Sequence, residues 1–201
     1  MTSRRDPRTA RTVTALGRAL RESLRELPLD TISVSALCRA AGVQRTTFYT
    51  HFGTVAELLT TMLTEDIDAL LDVPDPDGSS VEELADEFQE TLVAAFRLVQ
   101  ADRALFRAGF ESDASAPLRR SLTAMFDARL ARALQIWATV GVARDVDEPV
   151  ARSFAAGGLT ASVESWALSD DDDAVARASA VRDQMAPWWP RPPCDGPGRH
   201  P

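Results

Sequence analysis

The sequence predicts an all-α protein of about nine helices, and three observations support this fold class. Apolar residues recur at steps of three and four through most of the 201 residues, as they do on one face of an α-helix. Capping residues, glycines and prolines fall between these periodic segments, where helices begin and end. No segment shows a convincing alternation of apolar and polar residues, which is typical of a β-strand.

The first three helices form a recognisable pattern. An apolar stripe predicts the first helix over about 10–27. Ser33 is a favourable N-cap residue for a short second helix, and Gly42 stands where a left-handed residue would end it. A third short helix begins near Gln44 or Arg45. Two short helices joined by a tight turn that contains glycine are typical of a helix-turn-helix motif.

Six further helices are predicted from the residues at their starts. Thr54 with Glu57, and Ser80 with Glu83, form two capping boxes, in which a hydroxyl and a carboxylate cap the first turn of a helix. The other four helices begin near residues 102, 117, 148 and 172. A run rich in proline and aspartate at 73–78 separates the fourth helix from the fifth.

The composition excludes several kinds of chemistry. The chain has no lysine, which excludes a P-loop lysine, a pyridoxal Schiff base and a lysine general base. Its two histidines and two cysteines lie far apart in the sequence, so they supply neither a zinc site nor a His-based catalytic triad. These residues are His51, His200, Cys38 and Cys194. We therefore expect no enzyme activity, no catalytic or metal-binding residues and no cofactor.

The sequence also favours a cytoplasmic protein. No apolar run reaches the roughly 18 residues that a membrane span needs, so we expect no membrane partner. The arginine-rich start is not followed by the apolar segment of a signal peptide. Two distant cysteines suit a reducing compartment better than a disulfide scaffold.

Positive charge is concentrated at the start of the chain. Residues 1–53 carry nine arginines and four acidic residues, a net charge of +5, whereas the remaining 148 residues carry −13. This asymmetry favours a basic, anion-facing head and an acidic body. Because salt screens charges beyond about 8–10 Å, the acidic body weakens the field of the head little. A solvated basic helix face explains the charge equally well.

The segment from Ser33 to Phe52 carries the residues with the most specific chemistry. Phe48 and Phe52 are four residues apart, so they share one helical face and can pack inward. The neighbouring residues are of types that bind DNA. Arginine binds guanine edges and the threonine methyl contacts thymine, while hydroxyl groups and histidine donate to phosphate oxygens.

The sequence AGVQRTTFYTHF, followed by a helix that contains ELL, resembles the TetR family of bacterial transcriptional regulators over about residues 10–60. The resemblance implies a three-helix DNA-binding head, a body of about six helices, a homodimer and an inducer cavity in each body. It also implies that eight residues contact double-stranded DNA. They are Ser33, Gln44, Arg45, Thr46, Thr47, Tyr49, Thr50 and His51. The chain departs from the family at Val55, where lysine commonly contacts the DNA backbone, and the arm with Arg4, Arg5 and Arg8 is a candidate replacement.

Three regions follow from these assignments. We expect a helix-turn-helix DNA-binding domain with a linking helix at 1–72, a helical ligand-binding and dimerisation domain at 73–190, and a disordered proline-rich tail at 191–201. Aromatic residues of the body either fill its core or line a cavity for an apolar or amphipathic inducer. The candidates for the cavity are Phe88, Phe96, Phe106, Phe110, Phe126, Trp137 and Trp166.

The last two helices carry a predicted dimer face. The small residues between Phe154 and Leu159 permit close approach of helices, and together with Val175, Ala178, Val181 and Met185 they favour an isologous homodimer. Packing of the same two helices within one chain is the alternative.

We expect the protein to be a transcriptional regulator, more specifically a repressor, that binds a palindromic operator and is released by a small-molecule inducer. Two alternatives stay open. One is a DNA-binding regulator without a ligand or under the control of a partner protein, and the other is a helical lipid-binding or enzymatic bundle whose head is only structural.

Overall fold

A computed structural model describes residues 7–71, 80–139, 141–142, 146–186 and 189. The described residues form α-helices and one 3-10 turn at Leu29–Thr31, with no β-strand among them, so the predicted all-α fold is confirmed. The helices are α1 Pro7–Ser23, α2 Val34–Ala41, α3 Arg45–His51, α4 Val55–Asp68, α5 Val81–Ala101, α6 Arg103–Phe110, α7 Ser115–Thr139, α8 Glu148–Leu168 and α9 Ala174–Gln184. None of these described helices combines the length and apolar character needed to cross a membrane.

Three sequence predictions fall partly or wholly outside the described residues. They are the basic arm with Arg4 and Arg5, the break at 73–78, and the tail at 191–201 with Cys194 and His200. The side chain of Arg8 also lies outside the description.

The predicted caps set the helix starts. Ser33 Oγ accepts a hydrogen bond from the Ala36 N–H at 3.2 Å. At the second capping box, the Glu83 N–H donates to Ser80 Oγ at 3.1 Å, and the Ser80 N–H donates to the Glu83 carboxylate at 2.7 Å. Gly42 ends α2 with φ 67° and ψ 28°, a left-handed conformation that costs glycine little.

The first capping box differs in one bond from the usual pattern. The Glu57 N–H donates to Thr54 Oγ1 at 3.0 Å, as predicted, but the Glu57 carboxylate accepts from the Gly53 N–H at 2.7 Å rather than from Thr54. The carboxylate therefore also holds the backbone at the residue that precedes the N-cap.

Two helices end earlier than predicted. Helix α1 stops at Ser23 rather than near residue 27, because the Arg25 and Glu26 N–H groups bond to carbonyls three residues back and so tighten the turn. The residue before Pro28 is also disfavoured in the helical conformation. Helix α9 stops at Gln184 rather than near residue 188.

The chain forms two compact units. Of the described residues, the first contains 7–66 and 102–122, and the second contains those of 67–101 and 123–189. Helix α6 therefore belongs with α1–α4, whereas the predicted boundary at 72 placed it in the body. The reason is close packing within the first unit, because a Cβ at Gly109 would meet Leu118 at 2.8 Å and Leu63 at 2.9 Å.

Each unit has its own apolar core. In the first unit, Leu16, Leu37 and Phe106 are fully buried, and the Arg21 guanidinium of α1 binds the carboxylates of Asp66 and Asp102. In the second unit, the core includes Ala156, Leu159 and Trp166. The assignment of DNA binding and ligand binding to separate domains stays a prediction.

Candidate nucleic-acid interface and ligand cavity

Helix α3 has one buried face and one exposed face. Helix α2 packs on α1 and on α3. The Phe48 side chain is 0% exposed and Phe52 is also buried, with their ring centroids 5.8 Å apart. Tyr49 is 52% exposed, and its ring meets the Phe48 ring edge-on at 5.5 Å. The two phenylalanines anchor the helix, and the intervening residues face outward.

The structure brings the eight predicted DNA contacts together on the start of α2, the turn and α3. Thr47 and His51 are half-buried, and the other six residues are exposed. The exposed residues are Ser33, Gln44, Arg45, Thr46, Tyr49 and Thr50. This placement makes the side chains accessible to a nucleic acid, and the contacts themselves stay a prediction.

Hydrogen bonds within the motif limit which further hydrogen bonds Ser33 and Thr50 can make. Ser33 Oγ already accepts the capping bond from Ala36. Its hydroxyl proton is not used by that bond and can be donated to a phosphate. Thr50 Oγ1 instead donates to the Thr46 carbonyl at 3.0 Å. In this conformation Thr50 therefore offers a methyl group and an acceptor rather than a donor.

Gln44 occupies the N-cap position of α3 without capping it through its side chain. Its backbone is extended, with φ −73° and ψ 144°, and its amide makes no capping hydrogen bond. The exposed amide can therefore reach away from the helix. Glutamine presents both a donor and an acceptor, which is the combination that an adenine edge requires.

The electrostatic character of the motif is positive. The segment 33–52 contains Arg39 and Arg45 and no acidic residue. Both arginines are exposed, and neither forms an ion pair within the described part of the chain. Burial raises the pKa of the Cys38 thiol, and the positive charge of Arg45 opposes this effect only in part. Cys38 is a buried residue of the core.

Val55 stands where the TetR family commonly has a lysine. It is the first residue of α4, and its side chain is buried in the first unit. A valine there contributes to the apolar core of this unit and carries no charge.

The second unit contains a cavity of about 110 Å³. Helices α5, α7 and α8 supply most of its wall, with Leu71 and Trp189. Four of the seven predicted cavity residues line it: Phe88, Phe96, Phe126 and Trp137.

The other three predicted cavity residues do not line this cavity. Phe106 and Phe110 are buried on α6 in the first unit, since α6 packs there rather than in the body. Trp166 is buried in the second unit but does not line the cavity. Its indole Nε1 donates to the Phe96 carbonyl at 2.8 Å, and its ring meets the Phe96 ring at 5.8 Å. Trp166 therefore packs behind Phe96, which itself lines the cavity.

Sequence reasoning missed Trp189, which lines the cavity. It lies in a proline-rich stretch without helical periodicity, so the pattern that identified the other aromatic residues could not include it. The available signal was a pair of tryptophans in an otherwise polar tail, because side chains of that size are usually largely buried.

Three lining residues have polar side chains: Glu87, Thr91 and Arg129. Arg129 Nε donates to Asp68 Oδ1 at 2.8 Å, and Nη2 donates to the Asp68 carbonyl at 3.3 Å. The guanidinium charge is thus compensated by the protein. The rest of the wall is apolar.

Exposed apolar residues and two glycines lie on α8 and α9, and we call this set the α8–α9 face. It comprises Val150, Phe154, Gly157, Gly158, Leu168 and Val175. Phe154 is 73% exposed, and a Cβ at either glycine would meet nothing within 4 Å. Within the predicted dimer segment, Ala155, Ala156 and Leu159 are instead buried in the chain's own core, as is Ala178 of α9.

No protein-family model matches the chain, and no curated protein matches its sequence. Solved structures do share its fold. The dihydroxyacetone kinase operon activator DhaS is 16% identical, with a TM-score of 0.62 over 87% of this chain and 93% of DhaS. The TetR family repressor AlkX from Dietzia sp. strain DQ12-45-1b is 19% identical, with a TM-score of 0.58 over 93% of this chain and 97% of AlkX. The transcriptional regulator FadR from Bacillus subtilis, in complex with stearoyl-CoA, is 17% identical, with a TM-score of 0.57 over 86% of this chain and 96% of FadR.

These neighbours define the class of fold. All three are described as regulators, and their likeness covers most of this chain. The chain has a TetR-like fold, as the resemblance of its helix-turn-helix segment implied.

Proposed function

We propose that the protein is a DNA-binding transcriptional regulator that reads a two-fold symmetric operator as a homodimer and is released by a small molecule. The observation that carries this proposal is the exposed face of α3. Tyr49 and Arg45 project from a short helix that Phe48 anchors, in a segment without acidic residues. A rigid basic helix of this kind fits the major groove of B-DNA.

The residue types divide the proposed contacts into two groups. Arg45 and Thr46 read base edges, because arginine bonds bidentately to guanine and the threonine methyl packs on thymine. Thr47, Tyr49 and His51 contact phosphate oxygens, which position the helix without reading sequence. Each phosphate contact releases counterions, so the logarithm of affinity falls with the logarithm of salt concentration by about 0.9 per contact.

The α8–α9 face is the proposed dimer interface. A side chain as large as Phe154 is rarely left 73% exposed on a stable monomer surface beside other apolar groups. The open glycines allow the same helix of a second copy to approach closely. A two-fold dimer would place two copies of α3 about 34–36 Å apart, one turn of DNA.

The cavity of the second unit is the proposed inducer site. Its apolar wall and few polar groups are typical of small-molecule sites. The stearoyl-CoA complex of FadR supports a ligand with an apolar part. A ligand that binds one conformation of the dimer better shifts the population away from DNA binding. A coupling of about 1–3 kcal/mol changes operator affinity about 5- to 150-fold.

The first experiment selects bound duplexes from a random DNA pool at a stated salt concentration. We expect a two-fold symmetric site. Fluorescence anisotropy then compares Arg45→Ala with Arg25→Ala, a matched control whose exposed arginine pairs with Glu22 and lies outside the segment 33–52. Arg45→Ala is expected to weaken binding to the selected site about 5- to 150-fold, corresponding to about 1–3 kcal/mol. The control is expected to change it less than twofold.

Tyr49→Ala provides a second arm, because loss of a phosphate contact weakens binding to all sequences alike. Binding that is absent or independent of salt contradicts the proposal and favours a structural role for the helix-turn-helix segment. Equal effects of the two arginine substitutions contradict the assigned interface.

A further inference from the structure

Trp189 fills space between two helices that border the cavity. Its side chain is 2% exposed, and its ring centroid lies 4.5 Å from that of Phe88 on α5 and 4.8 Å from that of Trp137 on α7. The backbone holds it there, since the Trp189 N–H donates to the Ala186 carbonyl at 2.9 Å. The indole is therefore a well-packed part of the wall rather than a loosely attached side chain.

The space left beside this indole is small. A dry protein cavity of about 150 Å³ lined by aliphatic and aromatic side chains binds benzene. The cavity here has a volume of about 110 Å³. It has room for a single ring or a short alkyl chain, and the rest of a long acyl chain would lie outside it while Trp189 keeps this position.

The wall disfavours an anionic ligand. Burying an ion without a partner is costly. Arg129 already bonds to Asp68 through Nε and Nη2, so its charge is compensated before any anion enters. The Glu87 carboxylate, which also lines the cavity, repels an anion, and the Thr91 hydroxyl is a neutral hydrogen-bonding group in the wall.

We propose that the ligand of this cavity is a molecule without negative charge that buries one ring or a short alkyl chain, and that Trp189 sets the upper limit of the part that the cavity buries. The inference rests on the proposed function in treating the cavity as a ligand site. Replacement of Trp189 by a smaller residue joins the volume of the indole to the cavity and shifts the limit to longer molecules.

The test measures binding of a series of alcohols, from 1-butanol to 1-dodecanol, to the full-length protein by titration calorimetry without DNA. For the native chain, each added methylene is expected to raise affinity about fourfold while it is buried. This rise in affinity with chain length should stop near 1-hexanol. In Trp189→Ala it should continue for several more methylenes, and in Trp189→Phe it should stop at an intermediate chain length.

Leu134→Ala is the control. Leu134 is a buried residue of the same unit that does not line the cavity, so this variant loosens the core but should keep the native limit. A shift of the limit in the control as well would overturn the assignment to Trp189, since general loosening of the core would then account for it. Trp189→Phe keeps the test decisive if the alanine variant does not fold.

Charge is tested with molecules of equal length. Native protein should bind 1-hexanol at least about tenfold more tightly than hexanoate. Tighter binding of hexanoate, a native affinity that rises as far as 1-dodecanol, an unchanged limit in both Trp189 variants, or no binding of any alcohol would overturn the inference. These titrations contain no DNA, so failure of operator binding would not be mistaken for failure of the ligand site.

Discussion

Phe154→Ala tests the proposed dimer most directly. A phenylalanine side chain buries about 150–250 Å² when fully covered. With Phe154 73% exposed, about 150 Å² is available to a second copy. At about 25 cal/mol per Å², its complete burial corresponds to roughly 3–4 kcal/mol.

The symmetry of the proposed dimer doubles this contribution. Alanine retains the Cβ and interfaces cover a side chain incompletely, so about half of the area-based value is expected from each protomer. The total is about 3–4 kcal/mol per dimer, which raises the dissociation constant a few hundredfold. The fold of the single chain should persist, because Phe154 contributes little to its core.

Sedimentation equilibrium over a range of protein concentrations measures this constant. Leu27→Ala is the matched control, since Leu27 is 50% exposed on the first unit and lies off the α8–α9 face. It should leave the dissociation constant unchanged. A dimer that survives Phe154→Ala with native affinity, or one that Leu27→Ala weakens equally, would refute the reasoning.

Two further predictions concern stability. Gly109→Ala should lower the free energy of unfolding by about 1–3 kcal/mol in urea titrations, because its Cβ would overlap Leu118 and Leu63 in a packed core. The bonds from Arg152 lower the pKa of Asp127, so the stabilisation by this carboxylate is present above its unfolded-state pKa and is lost as the pH falls through its folded-state pKa. The free energy of unfolding of Asp127→Asn should therefore fall less between neutral and acidic pH than that of the native protein, as measured by urea titrations at several pH values.

Each of these predictions has a control. Gly157→Ala adds the same methyl group where nothing lies within 4 Å, and alanine is the better helix former, so the free energy of unfolding of the monomer should rise by up to about 1 kcal/mol. Asp86→Asn removes an exposed carboxylate of α5 and should change the free energy of unfolding at neutral pH by less than about 0.5 kcal/mol. A destabilised Gly157→Ala monomer, or an unchanged profile in Asp127→Asn, would contradict the two arguments.

The candidate interface was predictable because its determinants are local. The turn at Gly42 depends on one residue with positive φ, and the spacing of Phe48 and Phe52 sets which face of α3 turns inward. Exposure of Tyr49 follows from that spacing. Whether these residues bind DNA is a separate question that local geometry does not answer.

The cavity was predictable only in part, because its wall comes from segments far apart in the chain. Helical spacing marks Phe88, Phe126 and Phe106 alike as inward-facing. Only the packing of α6 in the first unit separates Phe106 from the other two. Periodicity left Trp189 out of the predicted cavity, because this residue has no apolar neighbours at helical spacing, although it is buried.

The sequence by itself determined the all-α class, most helix starts and the inner and outer faces of α3, because caps and helical periodicity act over a few residues. The tertiary structure alone decided that α6 joins the first unit, that Ala156 is buried while Phe154 is exposed, and that Trp189 borders the cavity. These outcomes depend on contacts between segments that are distant in sequence, and the spacing of residues within one helix carries no information about its neighbours.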